Sequence, residues 1–193
     1  WLYAGLQLGS FGVSRVLVAR VHPELLRERA RSLDKSDAKP WDRQVVGVMM
    51  LSAAVALVVA GLEARWRTGP GFPLWVKGVA VGVMVAGNAL GSWALVVNRF
   101  FEGLVRIQRD RGHVVVSTGP YAFVRHPGYA GSLLTSVVTP QLLDAPWAWA
   151  PMLVSMSALL YRTKREDDTL RAELEAYEAY TRQTRFRLLP GVW

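Results

Sequence analysis

The segment from Val45 to Leu62 is the feature that most limits how this chain of 193 residues can fold. It is largely apolar and contains no charged side chain, and a run of this length is typical of a helix that crosses the hydrocarbon core of a membrane. The segment from Pro73 to Val97 has the same character. Its one charge, Lys77, lies near its start, where an ammonium group can reach the membrane surface. We therefore predict an all-α integral membrane protein.

Three weaker apolar segments bring the predicted number of transmembrane helices to five. The first is interrupted by Arg15 and Arg20, and the last two are short and separated by Asp144-Ala145-Pro146. We interpret the last two as a helical hairpin, with one long kinked or re-entrant segment as the alternative. The predicted spans are approximately residues 2–21, 45–62, 73–97, 129–143 and 146–161, within a single membrane domain that comprises residues 1–193.

The positive charges lie between the apolar segments, and 23 Lys and Arg residues outnumber 15 Asp and Glu residues. Most of them fall in the connector 21–44, in the loop after the third span and in the C-terminal tail. Cytoplasmic loops of membrane proteins are enriched in Lys and Arg, so we predict that these three segments face the cytoplasm. The same distribution favours a membrane surface over nucleic acid as the partner of the basic residues. The bias toward Ala, Val and Arg is typical of a high-GC bacterium, so we expect the bacterial cytoplasmic membrane.

Composition excludes several classes of protein. Hydrophobic residues make up 51% of the chain, which excludes a disordered protein. The sequence contains no Cys, which excludes a disulfide scaffold and a Cys-ligated zinc site. The three histidines are His22, His113 and His126, and no two of them have the spacing of metal ligands on one helix face. We therefore predict no metal site.

The cytoplasmic loop over residues 106–129 holds the first residues that can carry chemistry. A proline at position 127 restricts His126 to an extended conformation, and Pro127 itself suits the first turn of the next helix. Arg125 and His126 are therefore predicted to lie at the mouth of the fourth membrane helix, near its positive end. Anchoring of Arg and Tyr side chains at the membrane surface is the alternative.

A second charged cluster follows the last span. Arg162 and Glu166 are four residues apart and therefore share one face of a helix. Charged groups at membrane depth are costly and are for that reason functional candidates, although a surface ion pair is the alternative. Leu170, Leu174 and Tyr177 then recur at helical spacing, which predicts a cytoplasmic amphipathic helix over residues 165–183.

The two clusters together resemble the isoprenylcysteine carboxyl methyltransferase family, which is related to membrane phospholipid N-methyltransferases. The resemblance covers roughly residues 20 to 193. It is carried by the Arg125-His126-Pro127-x-Tyr129 core of the loop and by Glu166-Asp167, which stands where the family has a Glu-Glu pair. Asp167 departs from the family pattern, and so does the sequence Leu174-Glu175-Ala176, where relatives have a Phe-Gly turn.

The resemblance implies an enzyme that uses S-adenosyl-L-methionine and releases S-adenosyl-L-homocysteine. The cofactor would lie in a cytoplasmic pocket made by the loop, the hairpin and the C-terminal helix. Arg162 matches a family arginine that faces the substrate, and either Arg162 or Arg125 can hold an acceptor carboxylate through two hydrogen bonds. These two are the predicted catalytic residues. The implied cofactor contacts are Gln108, His113, Val114, Val115, Val116, Tyr121, His126, Pro127, Gly128, Tyr129 and Glu166.

Three functions remain open at this point. The favoured one is methyl transfer to the carboxylate of an isoprenylcysteine-like acid, which is ionised at neutral pH and needs no general base. The second is N-methylation of a phospholipid or a small lipophilic amine, in which His126 or Glu166 would accept a proton. The third is a non-enzymatic membrane protein that binds lipid or assists assembly. The expected partners are a lipophilic or prenylated substrate and membrane lipid, and the oligomeric state is left open.

Overall fold

The computed structural model describes residues 2–31, 37–66 and 71–193, and within these ranges the regular structure is entirely helical. The predicted all-α class is therefore confirmed. Residues 32–36, which belong to the basic connector predicted to be cytoplasmic, lie outside the described residues. The α-helices are α1 Leu2–Val21, α2 Pro23–Ala30, α3 Pro40–Trp66, α4 Leu74–Val97, α5 Pro127–Leu142, α6 Trp149–Glu173 and α7 Tyr177–Gln183.

Helices α1, α3 and α4 are each long and apolar enough to cross a membrane. Their outer surfaces fit that environment, since on α3 the side chains of Met50 and Leu51 are 70% and 67% exposed. Contiguous exposed apolar surface of this kind is unfavourable in water and marks contact with a membrane or a partner. Helix α5 has only 16 residues, and the second half of α6 is strongly charged. The count of five spans therefore stays a prediction.

Helices α4 and α5 approach each other closely through glycine. A Cβ atom built on Gly87 would lie 2.8 Å from the carbonyl oxygen of Gly131, and one built on Gly131 would lie 3.0 Å from the backbone nitrogen of Gly91. Small residues allow membrane helices to pack backbone against backbone. This contact fixes the first residues of α5 relative to the loop that precedes them.

The Gly131→Ala variant is expected to lower the free energy of unfolding by about 1–3 kcal/mol, because the added methyl group meets backbone that cannot move aside. Gly82→Ala on α4 is the matched control, since nothing lies within 4 Å of its added Cβ; there alanine is expected to stabilise the helix by up to ~1 kcal/mol. Unfolding midpoints in a denaturing-detergent titration test both. Equal midpoints for the two variants would contradict the close contact.

The end of α5 is tied to the start of α4. Asp144 has a left-handed backbone conformation, with φ of 58°, and its carboxylate accepts the backbone N–H of Phe72 at 2.7 Å. The same carboxylate pairs with the ammonium group of Lys77. Pro146 then opens the short 3-10 turn Pro146–Ala148 that leads into α6. The predicted break at Asp144-Ala145-Pro146 therefore falls between two helices that a short turn joins.

The prediction of one amphipathic helix over residues 165–183 is wrong. Residues up to Glu173 continue α6, and the chain then turns through extended Leu174 and left-handed Ala176 before α7 begins. The reason is packing, because Leu174 and Tyr177 bury themselves in a cluster with Ala94 of α4. A straight helix would carry these apolar side chains away from that cluster. The turn instead brings α7 back over the loop.

Candidate active site

A cavity lies where the loop after α4, the first turn of α5 and the middle of α6 meet. The loop reaches this place because its 3-10 turn Gly119–Ala122 packs against α4 and because Pro127 starts α5 immediately afterwards. The residues that line the cavity come from separate segments of the chain. Before the structure, only the resemblance to a known family suggested that these segments meet. Nine of the predicted site residues line this cavity, namely Gln108, His113, Tyr121, Arg125, His126, Gly128, Tyr129, Arg162 and Glu166.

The other four predicted residues lie close by but do not line the cavity. Val114 is 55% exposed, and Val115 and Val116 pack against the cluster that holds Tyr177. Pro127 is buried as the first residue of α5. Contacts of these four residues with a cofactor therefore stay predictions.

Tyr129 and Glu166 meet across the cavity. The hydroxyl group of Tyr129, in the first turn of α5, donates a hydrogen bond to the carboxylate of Glu166 on α6. The guanidinium of Arg162 lies over the Tyr129 ring, 5.2 Å from its centroid. The His126 ring stacks parallel to the same tyrosine, with 5.7 Å between centroids. One aromatic ring is thus surrounded by a carboxylate, a cation and an imidazole.

Arg162 is anchored by a residue that the sequence did not single out. Its Nε and Nη2 atoms donate to the two oxygens of Asp42 at 2.7 and 2.9 Å, and Nη2 also donates to the carbonyl oxygen of Gly103. Asp42 is fully buried and also accepts the backbone N–H of Val105. It lies in the first turn of α3, where a carboxylate is favourable at the positive end of the helix.

Asp167 forms a second buried centre of charge. It is fully buried and accepts two hydrogen bonds from Arg125, at 2.7 and 2.9 Å. His126 Nε2, the hydroxyl of Tyr177 and Nε of Arg187 also lie within hydrogen-bond distance of it. Burial opposes ionisation, but the hydrogen bonds from His126 and Arg125 outweigh it and hold the pKa of Asp167 well below its usual range.

The guanidinium of Arg125 makes more hydrogen bonds within the protein than its predicted role, binding an acceptor carboxylate, requires. Besides Asp167, its Nη1 atom donates to the carbonyl oxygens of Thr184 and Arg185 at 2.8 and 2.7 Å. Its backbone N–H donates to Phe186, and that of His126 donates to Arg187. Arg125 therefore holds the C-terminal segment against the loop.

Gln108 and His113 close the opposite side of the cavity. The Gln108 side chain donates to the carbonyl oxygen of Phe100 at 2.7 Å and accepts a hydrogen bond from Arg111. The imidazole of His113 lies against the Phe100 ring, with 4.6 Å between centroids. Burial and the charges of Arg106 and Arg111 lower the pKa of His113 to about 4. This histidine is therefore neutral at physiological pH and presents a flat, uncharged ring.

Arg106 is another cavity residue that the sequence did not reveal as special. Its guanidinium is almost inaccessible and pairs with Glu102, Asp37 and Asp110 at 2.8 to 3.0 Å. The hydrogen bond that Arg106 donates to Glu102 is the largest of the causes that raise the pKa of Arg106. The only sequence signal was the spacing of four between Glu102, Arg106 and Asp110. Glu102 and Arg106 lie in a loop and Asp110 lies in the 3-10 turn Arg109–Arg111, so the three do not share an α-helix. This network fixes the path of the loop.

Comparison with known proteins shows that the segment containing this site is similar to one family. The model described as the isoprenylcysteine carboxyl methyltransferase (ICMT) family matches residues 80–172, a range that includes every residue lining the cavity. The resemblance to this family is confirmed. Protein-S-isoprenylcysteine O-methyltransferase B of Arabidopsis thaliana is 31% identical over 87 residues, which are 45% of this chain and 40% of that protein. A probable protein-S-isoprenylcysteine O-methyltransferase of Oryza sativa subsp. indica is 26% identical over 147 residues, 76% of this chain and 71% of that protein.

A solved structure shares the fold. The eukaryotic intramembrane Ras methyltransferase ICMT superposes with a TM-score of 0.69 at 22% identity, over 98% of this chain and 65% of that chain. Together with the three long apolar helices, this likeness identifies a multi-pass membrane fold. The chain spans less than two thirds of the length of the Arabidopsis protein and of the solved ICMT chain.

Proposed function

We propose that this protein is an S-adenosylmethionine-dependent methyltransferase that acts on the carboxylate of a lipophilic, isoprenylcysteine-like acid. The observation that carries the proposal is the meeting of Tyr129, Arg162 and Glu166 in one cavity whose lining lies wholly within the segment that matches the family. We further propose that α5 is the fourth span and that the part of α6 up to Tyr161 is the fifth. The cavity would then face the cytoplasm of a bacterial cell, as the distribution of Arg and Lys predicts.

The cavity residues fit an adenosyl sulfonium donor by their chemistry. The carboxylate of Glu166 can bind an ammonium group, and the face of an aromatic ring attracts a cation. The positive end of α5 suits a carboxylate. The neutral ring of His113 beside Phe100 offers a flat surface for a nucleobase. The donor, when bound, supplies an electrophilic methyl group. The protein must bind the acceptor, align it with that methyl group and exclude water.

The protein's main task in this reaction is orientation. A carboxylate acceptor is already ionised at neutral pH, so the chain needs to align it with the methyl group and exclude water. Correct orientation can contribute ~7–11 kcal/mol to a rate enhancement. Arg162 can assist in this orientation, because its bidentate pair with Asp42 fixes its guanidinium over the Tyr129 ring at the cavity wall. We assign Arg125 a positioning role, since Asp167 and two backbone carbonyls occupy its guanidinium.

An amine acceptor would require a proton acceptor at the site. The two candidates are His126, which lies against Asp167, and Glu166, which accepts the Tyr129 hydroxyl. Each already has a side-chain hydrogen-bond partner, which favours the carboxylate acceptor over N-methylation.

A methyl-transfer assay tests the proposed function. The purified chain in nanodiscs would be given S-adenosylmethionine with a tritiated methyl group, together with either N-acetyl-S-geranylgeranylcysteine or dioleoylphosphatidylethanolamine. We expect base-labile methyl ester on the cysteine derivative and no label on the phospholipid. Label on the amine alone would identify an N-methyltransferase. Label on neither acceptor, with no binding of S-adenosylhomocysteine, would contradict enzymatic function.

The Glu166→Gln variant is expected to bind S-adenosylhomocysteine at least tenfold more weakly. A hydrogen bond to a charged group contributes ~1.5–3 kcal/mol, and 1.4 kcal/mol corresponds to a factor of ten. Calorimetric titration measures the change. Glu173→Gln is the matched control on the same helix, because Glu173 lies at the surface, where it pairs with Lys39. Equal affinities for the two variants would remove Glu166 from the donor site.

A further inference from the structure

A second and much larger cavity lies on the other side of the loop. Its volume is about 690 Å³, and it is bounded by α1, α2, α4 and α5. Cavities of roughly 300–1,000 Å³ accommodate drug-sized ligands, so this cavity is large enough for a lipophilic acceptor. Of the residues predicted from the sequence, Gly128 alone reaches it. We call this larger cavity the acceptor cleft.

The walls of the acceptor cleft combine apolar and uncharged polar side chains. Asn88 on α4 donates to Gln7 and Ser10 on α1, at 3.2 and 3.1 Å. One turn further along, the hydroxyl groups of Ser14 and Ser92 are hydrogen-bonded. Polar groups within membrane helices face the protein interior or a cavity rather than lipid. These walls suit a molecule that is largely apolar.

The charge of the acceptor cleft is positive at one end. Arg15 and Arg29 are its charged lining residues, and among the described residues that line it there is no Asp or Glu. Arg29 donates to the carbonyl oxygen of Phe101 at 3.0 Å, and its guanidinium lies 5.4 Å from the centre of the Phe101 ring. Burial and the charge of Arg15 lower the pKa of Arg29. An anion placed between the two arginines would relieve this repulsion.

The positive end of the cleft adjoins the proposed donor site. Phe101 and Gly128 line both cavities, so the phenyl ring and the first turn of α5 form the wall between them. Methyl transfer requires donor and acceptor to touch, and this shared wall is where a group held by Arg29 would meet a donor beside Tyr129.

We propose that Arg29, supported by Arg15, binds the carboxylate of the acceptor and makes the cleft selective for acids over amines. This inference rests on the proposed function, because it takes the occupant of the cleft to be the methyl acceptor. It adds a specificity-determining residue on α2, outside the segment that matches the family model. An acid gains charge-assisted hydrogen bonds there, and a protonated amine is repelled.

The test is competition binding with the full chain in nanodiscs. Tritiated N-acetyl-S-geranylgeranylcysteine is displaced by the same unlabelled acid or by its neutral carboxamide, and KM and kcat for the acid are measured in parallel. We expect the wild type to prefer the acid at least tenfold. In Arg29→Gln that preference falls to near unity and KM rises about tenfold, with kcat changed less, since a charged hydrogen bond contributes ~1.5–3 kcal/mol. Arg29→Lys is expected to retain part of the preference.

Arg27→Gln is the matched control, because Arg27 lies on the same helix but is exposed and does not line the cleft. Unchanged binding of S-adenosylhomocysteine in Arg29→Gln shows that the variant is folded. Retention of the full acid preference by Arg29→Gln overturns the inference. A wild type that binds acid and carboxamide equally overturns it as well, even when methyl transfer occurs. Failure of methyl transfer with a retained, Arg29-dependent acid preference instead contradicts the proposed function alone.

Discussion

The Asp167→Asn variant is expected to lower the free energy of unfolding by about 3–5 kcal/mol, the usual cost of removing one partner from a buried ion pair. Asp167 is fully buried and is the common partner of Arg125, His126, Tyr177 and Arg187. An amide cannot accept two hydrogen bonds from a guanidinium with both of its heavy atoms. The variant therefore leaves the buried charge of Arg125 without compensation.

The same change is expected to weaken the binding of S-adenosylhomocysteine. Asp167 fixes Arg125 and His126, and these residues hold the C-terminal segment beside the cavity through hydrogen bonds to Phe186 and Arg187. Without the carboxylate, the loop loses the contact that fixes its position before α5. Binding and stability are therefore expected to fall together.

The pH dependence of stability gives a second readout for Asp167. Its folded-state pKa is lowered, so the stabilisation is present above the unfolded-state pKa of about 4 and is lost as the pH falls toward the folded value. The Asn variant is expected to lack this part of the acid sensitivity. Asp168→Asn is the matched control, because Asp168 is exposed on the same helix. Unfolding in denaturing detergent at about pH 7 and about pH 2, on either side of the unfolded-state pKa, measures both variants, and an Asp167→Asn protein as stable as Asp168→Asn would contradict the buried network.

The Gly128→Ala variant is expected to reduce methyl transfer by about tenfold or more, because a displacement of roughly 1 Å at a reacting centre can cost a factor of a hundred. A Cβ atom on Gly128 would lie 2.5 Å from the Cε2 and Cζ atoms of Phe101. The ring must then move into one of the two cavities that it separates. Donor and acceptor would no longer meet at the wall between these cavities.

A double variant distinguishes this steric effect from loss of folding. Phe101→Leu in combination with Gly128→Ala removes the ring that the new methyl group contacts, and we expect it to restore a large part of the transfer rate. Gly78→Ala, where nothing lies within 4 Å of the added Cβ, is expected to leave the rate unchanged. Single-turnover measurements make the comparison. A double variant as slow as Gly128→Ala would show that the wall is not the point of transfer.

Local signals explain why much of the fold was predictable. The uncharged segment 45–62 falls within α3, and Pro127 is the first residue of α5 as its ring chemistry predicts. The cavity residues of the loop and of α6 were found because Arg125-His126-Pro127 and Glu166 are compact motifs that resemble a known family. The effects of hydropathy and of proline depend on the local sequence, so they can be predicted without knowledge of the fold.

The missed features depend on contacts between distant parts of the chain. Asp42 binds Arg162 across 120 positions, and no spacing rule connects such a pair. Asp167 was noted only as a departure from a family pair, although its burial makes it the centre of a charge network. The turn at Leu174 follows from its packing beside Ala94, whereas its helical spacing in the sequence predicted continuous helix. In all three examples, the structure depends on which side chains the folded chain buries together.

Photo-crosslinking tests the central claim most directly, namely that the cavity beside Tyr129 and Glu166 binds an adenosyl sulfonium donor. Irradiation of the full chain with S-adenosylmethionine that carries a tritiated methyl group, followed by peptide mapping, locates the bound molecule. We predict label in peptides that cover residues 98–129 or 162–170, and we predict that S-adenosylhomocysteine abolishes it. Label confined to α1 or α3, or label that S-adenosylhomocysteine does not displace, would contradict this account.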